Sequence, residues 1–199
     1  MRVSMRQGTT SWKQWVSNNV LDDTTGAQIV EFAVTLPLLV AIFVGIYDFT
    51  NAFNLKQKLT VAVREGARFS SNQSTSDLTN STPNSILATR DVIDTYLLRN
   101  NVNDCGLGTA TASSAGNLRW KFTATANNCP SPGLTLTIQR GLVVPYTPAG
   151  GNPVHVESTQ VTLTYTYQWQ FGHVATFLVP GAQYGSSQIP ISAVMQNLN

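Results

Sequence analysis

Residues 27–49 read AQIVEFAVTLPLLVAIFVGIYDF, and this stretch organises the chain. Its 23 residues form a helix about 34 Å long at about 1.5 Å per residue. That length matches a bilayer hydrocarbon core of about 30 Å. Only Glu31 and Asp48 are ionisable, and each lies near one end. Between Phe32 and Tyr47 the one polar side chain is Thr35. A helix in a soluble core keeps a polar face, and this one has none, so it reads as a single membrane span. Pro37 lies inside it and supplies no N–H to the helix ladder. Membrane helices tolerate such a break through local rearrangement and neighbouring contacts. Gly45 offers a small surface against which a second helix can pack. Glu31 is the costly residue, because an acid entering a bilayer needs a partner. It either reaches back to the interface or meets a cation on another chain.

Upstream, residues 1–26 are polar and lack the apolar run of an ordinary secretory signal peptide. Downstream, Ala52, Leu55, Leu59, Ala62 and Gly66 follow 3-4-3-4 spacing, so the helix continues beyond the bilayer with one apolar face. It ends near Ser70, in the linker SSNQSTSDLTNSTPN. Ser81 or Thr82 followed by Pro83 is a helix start. A second helix is expected over 83–100, with Ile86, Ile93, Tyr96 and Leu97 facing inward and Asp91 and Asp94 exposed. Glu65 and Arg68 are spaced for a helix-surface ion pair.

From residue 117 the period changes to two. Leu118, Trp120, Phe122 and Ala124 alternate with polar residues as in a half-buried strand. A turn over 129–133 precedes a strand carrying Leu134, Leu136 and Ile138. A turn-rich loop is expected from Pro145 to Pro153, then a long strand carrying Val161, Leu163, Tyr165, Tyr167 and Trp169. A last short strand runs from Ile189 to Met195. Strands that follow one another without helices between them form a mainly antiparallel sheet. Threonines on the opposite face suit a sheet open to solvent on that side.

The chain has 199 residues and a net charge of +2. Charged residues make up 11 %, and Ser, Thr, Asn and Gln together number 68, a balance more typical of exported proteins than cytosolic ones. The near-neutral charge argues against a nucleic-acid binder, which needs a basic face. Cys105 and Cys129 are the only cysteines. They read either as an intramolecular disulfide, formed in an oxidising compartment, or as two unrelated buried thiols. A bridge would contribute about 3 kcal/mol in the chain-entropy description. His155 and Glu157 share a strand face but lack further ligands for a metal. None of the common nucleotide-binding, serine-hydrolase or zinc-protease motifs is present. The sequence thus gives no catalytic residues, no metal site and no cofactor, and the aromatic run Tyr165 to Phe171 reads as packing.

Gly26, Ala27, Glu31 and the following Phe32 together resemble the type IV pilins: a polar leader ending in glycine, then Glu at the fifth position of the mature chain, an aromatic residue and an apolar helix. The wider stretch, with Leu36-Pro37-Leu38-Leu39 and the ending Ala62-Val63-Arg64-Glu65-Gly66-Ala67-Arg68, looks more specifically like the TadE-like pseudopilins of tight-adherence (Flp, type IVc) pilus systems. The resemblance covers about residues 26–69, with a weaker echo at Ile191-Ser192-Ala193-Val194-Met195; the middle of the chain shows no family motif.

This resemblance implies a non-enzymatic minor pseudopilin. Residues 1–26 would be a leader cut by a prepilin peptidase between Gly26 and Ala27, 27–49 the transmembrane helix, 50–72 its periplasmic continuation and 73–199 the head. The fold is expected to be α+β, with the long pilin-like helix packed on an antiparallel sheet and one further helix. The new ammonium at Ala27 would pair with Glu31 of a neighbouring subunit, and Phe32, Pro37 and Gly45 would pack helix on helix. Partners would be the membrane, other pilins and minor pseudopilins, the peptidase and the assembly platform. The head would lie in the periplasm of a bacterial inner-membrane protein and, after assembly, in the extracellular pilus. Counting Arg2, Arg6 and Lys13 against Lys56, Lys58, Arg64 and Arg68 does not itself set this orientation; the resemblance and a disulfide do. Two other classes remain at the level of sequence: an anchored adhesion or binding module, and an anchored enzyme.

Overall fold

The computed structural model describes residues 24–171 and 185–198. The chain divides into two compact units, residues 1–46 and 47–199. Helix α1 (Thr24–Ser71) begins in the first and ends in the second.

Within the first unit, α1 carries Pro37 without interruption. Thr35 directs its hydroxyl to the carbonyl of Phe32 at 3.2 Å, so the one polar side chain of the apolar run is satisfied by its own helix. The side chains from Gly26 to Val40 are all exposed.

The second unit is an α+β fold. Helix α2 spans Asn84–Arg99. Five strands follow: β1 (Ala112–Ser114), β2 (Arg119–Ala124), β3 (Leu134–Tyr146), β4 (Val154–Gln168) and β5 (Ser186–Gln196). They form one antiparallel sheet in the order β1-β2-β3-β4-β5, each strand pairing with the next. The expected fold class is therefore correct. Strand burial alternates as the period-two reading requires, with Trp120, Phe122, Leu134, Leu136, Ile138, Val161 and Leu163 buried. Threonines 135 and 137 pair with 164 and 162 on the opposite face. Leu59, Ala62, Val63 and Ala67 of α1 and Ile86, Ile93 and Leu97 of α2 complete the same core. Gly66 belongs to this seam. A Cβ placed there would lie 2.5 Å from Cγ1 of Ile93, so the missing side chain allows close packing against α2. This close approach comes with the roughly 1 kcal/mol that glycine costs a helix interior.

Several boundaries differ from the sequence reading. The short edge strand β1 was not expected. Strand β3 runs on to Tyr146, past Pro145, and β4 starts at Val154, so the turn-rich segment is shorter than 145–153. The cause is a bulge between Gln139 and Leu142, where Gly141 takes φ +66° and the ladder resumes with Leu142 opposite Ser158. Leu118 is not an inward strand residue. It takes φ +50°, is 39 % exposed, and accepts the Arg140 N–H at 2.8 Å, which places it outside the alternation.

The start of α2 also differs. Pro83 occupies the N-cap position and has no capping side chain. Asp77, in the linker, supplies the cap: its carboxylate accepts the Ser85 N–H at 2.8 Å and the Ser85 hydroxyl at 2.9 Å. At the other end Asn101 has φ +53° and Val102 N–H reaches the Leu97 carbonyl at 2.9 Å, a Schellman closure with asparagine in the left-handed position. Lys58 of α1 adds a bond to the Asn100 carbonyl at 2.9 Å, tying the two helices together.

Cys105 and Cys129 form a disulfide with Cα atoms 5.2 Å apart, which resolves the choice between a bridge and two thiols. It joins the segment after α2 to the β2–β3 turn. The backbone bond from Ala126 N–H to the Cys105 carbonyl, 2.9 Å, runs beside it.

Candidate functional site

Glu31 lies on the exposed surface of α1, within its second turn after Gly26. Gly26 itself has open space around it, as does Gly45. The 26–27 peptide bond lies within the first turn of the helix, which starts at Thr24. Phe32 is 61 % exposed, and Ile29, Val34, Phe43 and Ile46 are more than half exposed. Glu31, Phe32, Pro37 and Gly45 share one helix, and among the described residues none of them belongs to the buried core. The most apolar window of the helix is not buried by the other described residues. Exposing apolar surface to water costs roughly 25 cal/mol per Å2, which suggests membrane anchoring.

The head holds polar features that the sequence reading placed elsewhere. Asp94 is half-buried rather than a solvated helix residue. It faces the single 3-10 turn Leu107–Thr109, and Gly108 permits the approach: a Cβ there would lie 2.8 Å from the Asp94 carboxylate. One of its oxygens is buried with no hydrogen-bond partner among the described residues. Burial, and then the neighbouring Asp104 carboxylate, push the Asp94 carboxyl above its ordinary range. A raised carboxylate favours the protonated fold. Its cost is absent below the unfolded-state value, grows as pH rises toward the folded-state value, and is constant above that value. Asp94→Asn is therefore expected to raise Tm at pH 7, with the gain shrinking as the pH is lowered toward 4 in thermal melts.

Arg140 is 1 % exposed at the β3 bulge. Its Nη2 donates to the Gln73 carbonyl at 2.9 Å. Burial lowers its proton affinity, and the charge of Asp77 offsets part of this. No periodicity marks an arginine at an inward strand position as buried; the signal was only its parity with Ile138. Arg90 crosses the Phe122 ring at 5.7 Å and donates to the Ala110 carbonyl at 2.8 Å. It also forms, with Asp91, the one ion pair among the described residues. Glu65 and Arg68 do not pair; both are exposed on the helix surface, where water solvates them.

His155 and Glu157 are exposed on β4, and His173 lies outside the described residues. Among the described residues no group of three or more His, Cys, Asp or Glu side chains is placed to hold a metal ion. Tyr165 and Tyr167 are buried and Trp169 meets Tyr167 edge to face at 5.2 Å, so these two tyrosines pack within the head, whereas Phe171 is exposed.

A long helix, apolar through its first half and acid-bearing near its start, followed by a small α+β unit, suggests membrane anchoring through the candidate span found among the described residues. Residues 26–68 match the family model of the TadE-like proteins, and the match is consistent with a TadE-like protein of tight-adherence pilus systems. No curated protein and no solved structure matches the chain.

Proposed function

We propose that this chain is a non-enzymatic minor pseudopilin of a tight-adherence pilus system. The observation that carries the reading is the coincidence of three features in one helix. The TadE-like segment starts at Gly26, Glu31 follows five residues later, and the apolar surface beyond it is uncovered. Residues 1–26 act as a leader that a prepilin peptidase removes between Gly26 and Ala27. The chain then stands as the transmembrane helix 27–49, its extension 50–72 and the head 73–199. Removal of the leader places an ammonium at Ala27, four residues before Glu31.

In a bundle of such helices the carboxylate of one chain neutralises the terminal amine of its neighbour. A charge pair in an apolar medium is stronger than in water, and breaking it strands a buried charge. The pair therefore fixes the axial stagger of adjacent helices. Phe32, Pro37 and Gly45 shape the contact, and helix–helix packing replaces lipid as the helix enters the filament. The head lies in the periplasm, where the disulfide persists, and moves outside the cell with the pilus. Minor status follows from length, since major subunits of the Flp type are much shorter than 199 residues.

The test is the mass of the chain recovered from membranes with and without the peptidase. Processing yields a chain beginning at Ala27. Recovery of the chain with Met1 intact in the presence of active peptidase contradicts the reading.

A further inference from the structure

The end of β4 is tied to the turn of α1 where the apolar stretch finishes. Phe171 N–H donates to Oδ2 of Asp48 at 3.1 Å, and the Tyr167 hydroxyl donates to the Asp48 carbonyl at 3.4 Å. The Phe171 ring meets Tyr47 edge to face at 5.7 Å. Asp48 is 7 % exposed although it sits among apolar residues, because these groups enclose it. Beside this junction opens a groove of about 490 Å3. One wall carries Phe49, Phe53 and Lys56 of α1; the other carries Trp169, Ile189 and Pro190.

These contacts fix a depth. Residues 47–49 end the apolar run, so they stand at the edge of the hydrocarbon. Groups within 3–6 Å of them stand in the interfacial layer, which adds about 5–8 Å to each side of the hydrocarbon. Trp169, Tyr167 and Phe171 therefore occupy the zone that tryptophan and tyrosine favour at membrane surfaces, where a ring meets an apolar medium and a polar tip meets water. Trp169 fits that description: its ring lines the groove and its Nε1 donates to the Ser187 hydroxyl at 3.0 Å. Lys56 is seven residues beyond Phe49, about 10 Å along the helix. Among the described residues it is the one side chain of the groove lining that carries a charge at neutral pH, and it lies further along the chain from the apolar run than Phe49 does.

We propose that this groove seats a phospholipid of the leaflet from which the head emerges. The upper acyl chains lie against Phe49, Phe53 and Ile189, and the phosphate meets Lys56. An added strand from another protein is the competing occupant, since β5 is an edge strand among the described residues. Pro190 opposes it. Thr166 turns its N–H toward β3, to the Gly133 carbonyl. Thr164 shares that parity, so its partner Pro190 turns its nitrogen to the free edge. A proline there offers no donor to an incoming strand.

The seat depends on the membrane span alone, not on processing or filament entry. The test uses the full chain in phosphatidylglycerol-containing vesicles at low protein density, in a Trp12→Phe/Trp15→Phe background. Flotation with the vesicles reports the span separately. Two tryptophans remain: Trp169, and Trp120, which is buried in the head core. Lipids brominated high on the acyl chain are expected to quench emission more than lipids brominated near the chain end. Trp169→Phe abolishes that quenching, and Lys56→Glu weakens it while leaving flotation unchanged. In a chain that floats, bromine quenching that is the same with and without Trp169 overturns the seat. Protection of Trp169 that develops only as protein density rises assigns the groove to a second copy and overturns it as well.

Discussion

Replacing Glu31 with alanine is expected to leave membrane insertion and removal of residues 1–26 intact and to abolish entry into the filament. Glu31 is exposed among the described residues, so its loss is expected to leave the head intact. Under the proposed function it removes the partner of the amine at Ala27 on the neighbouring helix. Stranding one member of a buried pair costs about 3 kcal/mol or more, roughly a hundredfold in the equilibrium for packing each subunit. The readout is the ratio of chain in sheared filaments to chain in membranes, with the mass of the membrane form confirming leader removal. Glu31→Gln keeps size and hydrogen bonding while removing charge, and is expected to share the defect. Unchanged incorporation of Glu31→Ala would point instead to a tethered adhesion or binding module, in which the helix serves only as an anchor.

The largest stability effect is expected at Gly133. It takes φ +92°, where any L side chain is strained. A Cβ there would fall on the Ala124 carbonyl oxygen, which is backbone and cannot move aside as a side-chain tip would. The residue also ties its own turn to β4. Its N–H donates to the Pro130 carbonyl at 2.7 Å, and its carbonyl accepts the Thr166 N–H at 3.1 Å and the Thr166 hydroxyl at 2.8 Å. Thr166 is buried, so shifting Gly133 would strand its hydroxyl. Strain and overpacking together give a loss of about 3 kcal/mol or more for Gly133→Ala. Gly116 is the control. Its φ is +126°, but nothing lies within 4 Å of the added Cβ, so Gly116→Ala pays strain alone. Urea denaturation of both variants measures the difference; equal losses would show that the contact with Ala124 carries no weight.

These two sites show what local pattern reveals. Glu31 stands out because an acid in an apolar run is conspicuous by composition. Gly133 is visible only as a turn residue; that its carbonyl receives β4 depends on a strand more than thirty residues away. Asp94 was misread for the same reason. Helical spacing put it beside Asp91 on a polar face, but the 3-10 turn after α2 covers it and Gly108 lets that turn come close. Asp77 caps α2 from eight residues upstream of Ser85, a separation that no capping pattern contains. Leu118 satisfied the period-two pattern and still left the strand, because a left-handed residue opposite the Arg140–Gly141 bulge interrupts the alternation.

Composition by itself determined the apolar helix, and side-chain periodicity the α2 face built on Ile86, Ile93 and Leu97 and the alternation of β2, β3 and β4. A run of one character, or a repeat every 3.6 or two residues, needs no distant partner. Only the folded chain decided that Cys105 reaches Cys129, that Arg140 is buried at a bulge, and that Phe171 closes on Asp48. Each of these joins groups far apart in sequence, and their meeting depends on strand register and on where glycines let elements approach, which no local period records.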